Sequence, residues 1–175
     1  AGPDSLCLRS PIELTADGNS HVARFTVRAG DRIPFVLTWQ ASHRHPPRAI
    51  DAEQALRDTE TMWTEWVAHC HYDGEWRDAV IRSLATLKAL TYAPTGGVVA
   101  AVTTSLPEVI GGERNWDYRY CWLRDATMTL QALLYAGCTV EAKAWREWLL
   151  RAVAGDAKDM QIMYGIAGER RLTEF

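Results

Sequence analysis

Residues 125–154, DATMTLQALLYAGCTVEAKAWREWLLRAVA, decide the fold. Ala126, Leu130, Leu133 and Leu134 recur at helical spacing, the pattern stops at Gly137, and it resumes as Trp145, Trp148, Leu149 and Ala152. Glycine suits the left-handed position that ends a helix. The stretch therefore predicts two helices, about 125–137 and 139–154, folded back on each other as a tight hairpin. Working upstream, Val80, Leu84, Leu87 and Thr91, with Ile81 beside them, predict a helix over 76–91, ended by Pro94 and Gly96-Gly97. Leu56, Thr59, Trp63, Trp66, Val67 and Cys70 predict another over 51–71, interrupted by Asp73-Gly74. Residues 97–106, GVVAAVTTSL, read as an extended or irregular loop.

Further upstream the period drops to two. HVARFTV (21–27) and IPFVLTW (33–39) read as strands around a Gly30-Asp31 turn, and so as a hairpin. Pro34 favours an edge or a strand start, because it cannot donate to a ladder. Two strands are too few to stand alone, so they read as the last piece of a larger sheet. ASHRHPPRAI (41–50) reads as a Pro-rich linker. Downstream of 154, Ile162, Met163 and Tyr164 precede the charged run Glu169-Arg170-Arg171, which reads as a solvated or ion-paired face. The fold class is mainly α with a small β portion. Its broad apolar stripes outnumber the elements available to cover them, which predicts a segment of a larger protein.

Composition excludes several classes. The 175 residues are 47% hydrophobic and 23% charged, which is globular rather than disordered. A net charge of −3 and the lack of a Lys/Arg-rich run predict no nucleic-acid partner. The apolar runs are far short of a membrane span. Residues 1–11 lack the basic start and apolar stretch of a signal peptide. Cys7, Cys70, Cys121 and Cys138 never fall at C-x-x-C spacing, which favours reduced thiols and a cytoplasmic location. His43, His45, His69 and His71 complete no known ligand spacing, so no metal is expected. Gly96-Gly97 lacks the residues of a phosphate loop, and G-x-S-x-G does not occur. No cofactor is expected.

The chemistry concentrates in RNWDYRYCWLRDAT, 114–127. Asp125 could cap the helix that follows, its carboxylate taking first-turn amides. Alternatively Arg124 and Asp125 act together: a fork of donors beside acceptors can grip the vicinal hydroxyls of a sugar. Tyr118, Tyr120 and Trp122 alternate, and Trp116 shares their parity, so an extended backbone would put them on one face, with Arg119 and Cys121 opposite. That face is either core or a wall of rings against a pyranose.

Longer stretches extend the pattern. LKALTYAPTGGVVAAVTTSLPE (87–108), GGERNWDYRYCWLRDATMTLQALLYAGC (111–138), EAKAWREWLLRAVAGD (141–156) and QIMYGIAGERRLTE (161–174) together resemble glycoside hydrolase family 15, the glucoamylases, glucodextranases and related bacterial trehalases. The resemblance is strongest over 75–175. It implies a β-sandwich domain, a linker, and an (α/α)6 barrel with its active site at the loop end. Residues 1–40 would be the C-terminal part of the sandwich, 41–72 a linker with a helix, and 73–175 the N-terminal part of the barrel. The family's Tyr-x-Tyr-x-Trp-x-Arg-Asp pattern falls on Tyr118, Tyr120, Trp122, Arg124 and Asp125. By this resemblance Arg124 and Asp125 hold hydroxyls of a non-reducing terminal glucose, Tyr118 lies near the developing oxocarbenium charge, and Trp122 helps wall the pocket. Tyr120 matches in type.

The implied reaction is inverting hydrolysis of an α-glucoside, with one glutamic acid as acid and one glutamate as base. No residue of 1–175 matches the motifs of that pair; Glu113 and Asp117 lie in the right region but do not align. The chain is thus expected to carry part of the glucose subsite, to be inactive alone, and to need the remainder of its parent. The alternatives are a trehalose-specific member of the same family, a non-catalytic carbohydrate-binding module, and an all-α interaction scaffold with the aromatics in its core.

Overall fold

A computed structural model describes residues 2–172. Thr173 and Glu174, the end of the 161–174 stretch quoted above, lie outside the described residues. Among the described residues the fold mixes four α-helices with small two-stranded sheets. It divides into two compact units, Ala1–Met62 and Trp63–Phe175.

In the first unit, β1 (Asp4–Arg9) pairs antiparallel with β4 (Val36–Ala41), in the register Leu6↔Trp39 and Leu8↔Leu37. β2 (Thr15–Asp17) and β3 (Ser20–Val22) make a short hairpin of their own. The expected hairpin of 21–27 with 33–39 is therefore corrected. The turn exists: Arg28 N–H donates to Asp31 Oδ2 at 2.7 Å, Asp31 N–H returns to Arg28 O at 3.0 Å, and the rings of Phe25 and Phe35 sit 5.9 Å apart. No ladder forms on either side of it, since residues 23–35 are not strand. Pro34 has no N–H to give, and the stretch beyond it finds a six-residue partner in β1 instead. No described residue of this unit is buried.

α1 (Ala52–Ala68) contains the boundary between the units. Its Leu56 is exposed. The second unit continues with α2 (Arg77–Ala89), the short pair β5 (Thr91–Tyr92) and β6 (Gly97–Val98), then β7 (Cys121–Trp122), α3 (Leu123–Tyr135), α4 (Thr139–Ala152) and β8 (Met163–Tyr164). β7 pairs with β8. Gly137 turns α3 into α4 at φ +82°, in the left-handed region.

Two apolar clusters hold this unit. In one, Leu84 of α2 and Leu133 of α3 meet Cys70, Ala136 and Cys138, with Trp66, Val80 and Ile81 packed against them. In the other, Trp148 and Ala152 of α4 meet Val99, Cys121 and Tyr164. Leu134, expected inward, is exposed, because the buried stripe of α3 runs through Ala126, Leu130 and Leu133. All four thiols are free, and the Sγ atoms of Cys70 and Cys138 lie 3.5 Å apart. One buried charge sits among the helices: Glu141 Oε1 accepts from Lys88 Nζ at 2.5 Å and from Trp66 Nε1 at 2.9 Å. Among the described residues no helix is long and apolar enough to cross a membrane.

Candidate functional site

The entry into α3 is fixed from both sides. Cys121 is fully buried and pairs with Tyr164, Trp122 pairs with Met163, and Leu123 N–H donates to Ile162 O at 3.0 Å. Burial pushes the Cys121 thiol up to about 12, so it stays neutral and acts as packing. Upstream, Ala101 N–H donates to Tyr118 O at 2.8 Å and Ala100 N–H to Tyr120 O at 3.0 Å, tying 118–120 to the loop after β6.

The helix begins two residues earlier than the sequence suggests. Its N-cap is Trp122, whose side chain makes no capping bond, and Asp125 stands in the first turn. The capping role considered for Asp125 is thereby overturned. Its carboxylate turns sideways to the neighbouring guanidinium, with Arg124 Nη2 donating to Asp125 Oδ2 at 3.2 Å. The Arg124 side chain is 76% exposed and that of Asp125 38%. An aspartate in a first turn is favoured by the helix dipole, whereas an arginine there is opposed by about 0.3–1 kcal/mol. The position of Arg124 is thus not explained by helix stability.

Just before this fork in the sequence, the rings of Tyr118 and Trp122 meet edge to face, 6.4 Å between centroids. Tyr118 is partly exposed and Trp122 half-buried. The Trp122 indole N–H is buried and makes no hydrogen bond with any described residue. Tyr120 is half-buried. The strict alternation expected for 116–122 does not hold, because the chain bends at Arg119 and Tyr120. Trp116 leaves the group and donates its indole N–H to Glu108 Oε1 at 2.8 Å. The structure thus brings together Tyr118 with Trp122 and Arg124 with Asp125.

A separate groove of about 820 Å³ runs along the α3–α4 hairpin, lined by Leu130, Leu134, Ala142 and Trp145 among others. Arg124 and Asp125 do not line it. Glu169 accepts from Ala167 N–H at 3.0 Å and Arg170 donates to Asp159 O at 2.8 Å, so that charged run staples a turn, in line with its solvated reading.

One pairing escaped the sequence reading. Asp117 Oδ1 accepts from Arg119 N–H at 3.0 Å and from Nε at 2.9 Å, while Oδ2 accepts from Nη2 at 2.7 Å. The signal was present, since an aspartate readily accepts from the amide two residues on. Hydrogen bonding from the Arg119 side chain outweighs burial and holds the Asp117 carboxyl below its ordinary value.

Chemically, an exposed donor fork next to an acceptor pair, following two packed rings in the chain, suits a polyhydroxylated ring with an apolar face. Comparison with known proteins points the same way. A model of glycosyl hydrolases family 15 matches residues 74–175. A protein named trehalase from Mycolicibacterium smegmatis is 38% identical over 179 aligned positions, covering 98% of this chain and 27% of the relative. Another from Mycobacterium tuberculosis is 37% identical, covering 97% and 25%. A third, from Thermoplasma acidophilum, is 39% identical over 124 positions, 71% of this chain and 21% of its own. The chain spans about a quarter of the length of the curated relatives it matches. No solved structure matches it. With the family model covering more than half of its length, and a relative 38% identical across nearly all of it, the chain belongs to the glycosyl hydrolases family 15.

Proposed function

We propose that this chain supplies part of the glucose-binding subsite of an inverting glucoside hydrolase that works at a non-reducing α-glucosyl end. The observation that carries the reading is the release of Asp125 from helix capping. A carboxylate in a first turn, paired only sideways with an exposed Arg124, keeps acceptor capacity for a ligand. Tyr118 and Trp122 offer the apolar wall. Trehalose is the favoured substrate, because the relatives compared above are named trehalase. In this reading residues 73–175 open an (α/α)6 barrel, 1–40 end a β-sandwich domain, 41–72 link them, and the protein works in the cytoplasm.

The acid and base lie elsewhere in the complete protein. In an inverting hydrolase they stand about 6.5–9.5 Å apart, with room for the attacking water. What this chain adds is differential binding: hydroxyls gripped more tightly as the ring flattens lower the barrier. The test is Asp125→Ala in the complete protein, assayed on trehalose and on maltotetraose. A drop in kcat/KM of about 100-fold or more, with an unchanged circular dichroism spectrum, is expected. An unchanged rate would reduce Asp125 to a surface residue. The 175-residue chain alone should release no glucose from either sugar.

The binding-module alternative is separated by titration. A module would bind glucosides without the rest of a barrel, whereas the subsite reading expects no measurable affinity from the isolated chain at millimolar sugar.

A further inference from the structure

We propose that Asp117 and Arg119 act as a pair that positions Tyr118, and that they do so through the backbone on either side of it; this rests on the reading of Tyr118 as part of the sugar subsite. One carboxylate spans the tyrosine. It takes the Arg119 amide on Oδ1 and grips the Arg119 guanidinium with both oxygens, at 2.9 and 2.7 Å. Only 10% of the Asp117 side chain is exposed, while Arg119 is half-exposed, so the aspartate is the anchored member.

The flanking backbone is anchored too. Asp117 bridges Thr104, Trp116 N–H donates to Ser105 Oγ at 2.7 Å, and Ser105 N–H donates to Trp116 O at 2.7 Å. Just after these ties and the one at Tyr118 O, the chain bends at Arg119 and Tyr120. The far tip of the loop, Leu106 to Gly112, is exposed and tied back mainly through Glu108, so the backbone ties nearer Tyr118 leave its side-chain direction to the Asp117–Arg119 clamp. Asp156 and Lys158 repeat the amide and side-chain bonds at the surface, but there the aspartate side chain is 57% exposed, against 10% for Asp117. The clamp sets the angle at which the Tyr118 ring meets Trp122, and so where the ring faces the sugar.

The experiment is a double-mutant cycle in the complete protein, on whichever of trehalose and maltotetraose it hydrolyses faster. Asp117→Ala should lower kcat by about tenfold or more and change KM less than about twofold, since a small misplacement near the reacting centre costs rate. Arg119→Lys, which keeps the charge and loses the fork, should fall between Asp117→Ala and wild type. In a Tyr118→Ala background, Asp117→Ala should cost less than about twofold, because its effect passes through the ring that is gone. Full additivity in that background, or an unchanged kcat for Asp117→Ala, overturns the inference. If Asp117→Ala fails to fold, the same cycle with Asp117→Asn decides it, because Asn keeps an acceptor for the Arg119 amide and loses the charged fork. If Tyr118→Ala alone has no effect while Asp125→Ala abolishes activity, the clamp has nothing to position and this inference falls, with the sugar subsite intact. If both leave activity unchanged, the subsite reading falls and takes the clamp with it.

Discussion

At the level of single side chains, the strongest energetic commitment in the second unit is Glu141. It is 3% exposed, yet it carries a charge. Burial pushes its carboxyl up, but hydrogen bonds from Lys88, its own backbone and Trp66, with the charge of Lys88, outweigh that and leave it below the ordinary value. Lys88 also lies 6.0 Å from the Trp66 ring centre, so three side chains from three helices share one contact. Removing one member is worse than the pair is good. Lys88→Met leaves a buried carboxylate with no cation and should cost about 2–4 kcal/mol in denaturant unfolding. Glu141→Gln keeps an acceptor for Trp66 and lets Lys88, a quarter exposed, turn to water, so it should cost only about 1–2 kcal/mol. The pH dependence follows from the direction of the shift. A carboxyl lowered by folding stabilises above its unfolded value, about 4.3, and that increment disappears as pH falls through the lower folded value. The stability gap between wild type and Glu141→Gln should therefore be full at pH 7 and narrower at pH 3. A gap that widens on acidification would mean that Glu141 is buried neutral. In sequence this glutamate looked like any other polar residue of α4. Its burial depends on Lys88 and Trp66, 53 and 75 positions away, and local pattern carries no trace of such distant partners.

At the level of helices and turns, glycines mark where backbones come close. Gly137 ends α3 at φ +82°, and a Cβ there would also meet His71 Nδ1 at 2.7 Å. Gly137→Ala should cost about 1–2 kcal/mol, mostly from the left-handed backbone, because a histidine ring can swing aside. Gly97 is different. A Cβ there would meet the carbonyl of Ile166 at 2.5 Å, with Trp148 Nε1 and Cys121 Sγ close behind. That carbonyl already accepts from Trp148 Nε1 at 3.0 Å, and main chain cannot swing aside. Gly97→Ala should cost roughly 3 kcal/mol, near the upper end for overpacking. Thermal unfolding of the two variants checks the order, and equal costs would refute the argument from close approach. The helices themselves were legible. Their apolar residues repeat every three to four positions, and Gly137 marked the α3–α4 turn. The strands were not. β1, DSLCLR, offers a period of two over only six residues, and its partner begins 27 residues after it ends. Pairing at that separation is set by which edges remain free, not by anything local, so the local pattern favours the nearer hairpin. The proposed site stands between these cases. Its motif can be picked out in the sequence, but the absence of a capping bond at Asp125 depends on where α3 starts, and helix boundaries are the least local part of a helix.

The whole chain is uneven in how firmly it is held, and this bears on what it can do. The first unit has no buried residue among those described, and its β1–β4 sheet leaves Leu6, Leu8, Leu37 and Trp39 exposed on one face. The second unit surrounds Leu133, Cys121, Trp148 and Tyr164 with cover. Backbone amides open at a cost that tracks such burial. Hydrogen exchange on the 175-residue chain should therefore split. Amides of β1 to β4 should exchange within minutes, and those around Leu133 and Trp148 should persist about 100-fold longer or more. The decisive segment is β7 and the first turn of α3, Cys121 to Ala126. Cys121 and Ala126 are buried on either side of the Arg124–Asp125 fork, so this segment should exchange as slowly as α4, although the fork itself faces water. A binding constellation has to be held to a fraction of an ångström, which a frame of buried neighbours can do and an open loop cannot. If Cys121 to Ala126 instead exchanged as fast as β1, the fork would not be preorganised in this chain, and the precision that the proposed sugar subsite requires would have to come from packing elsewhere.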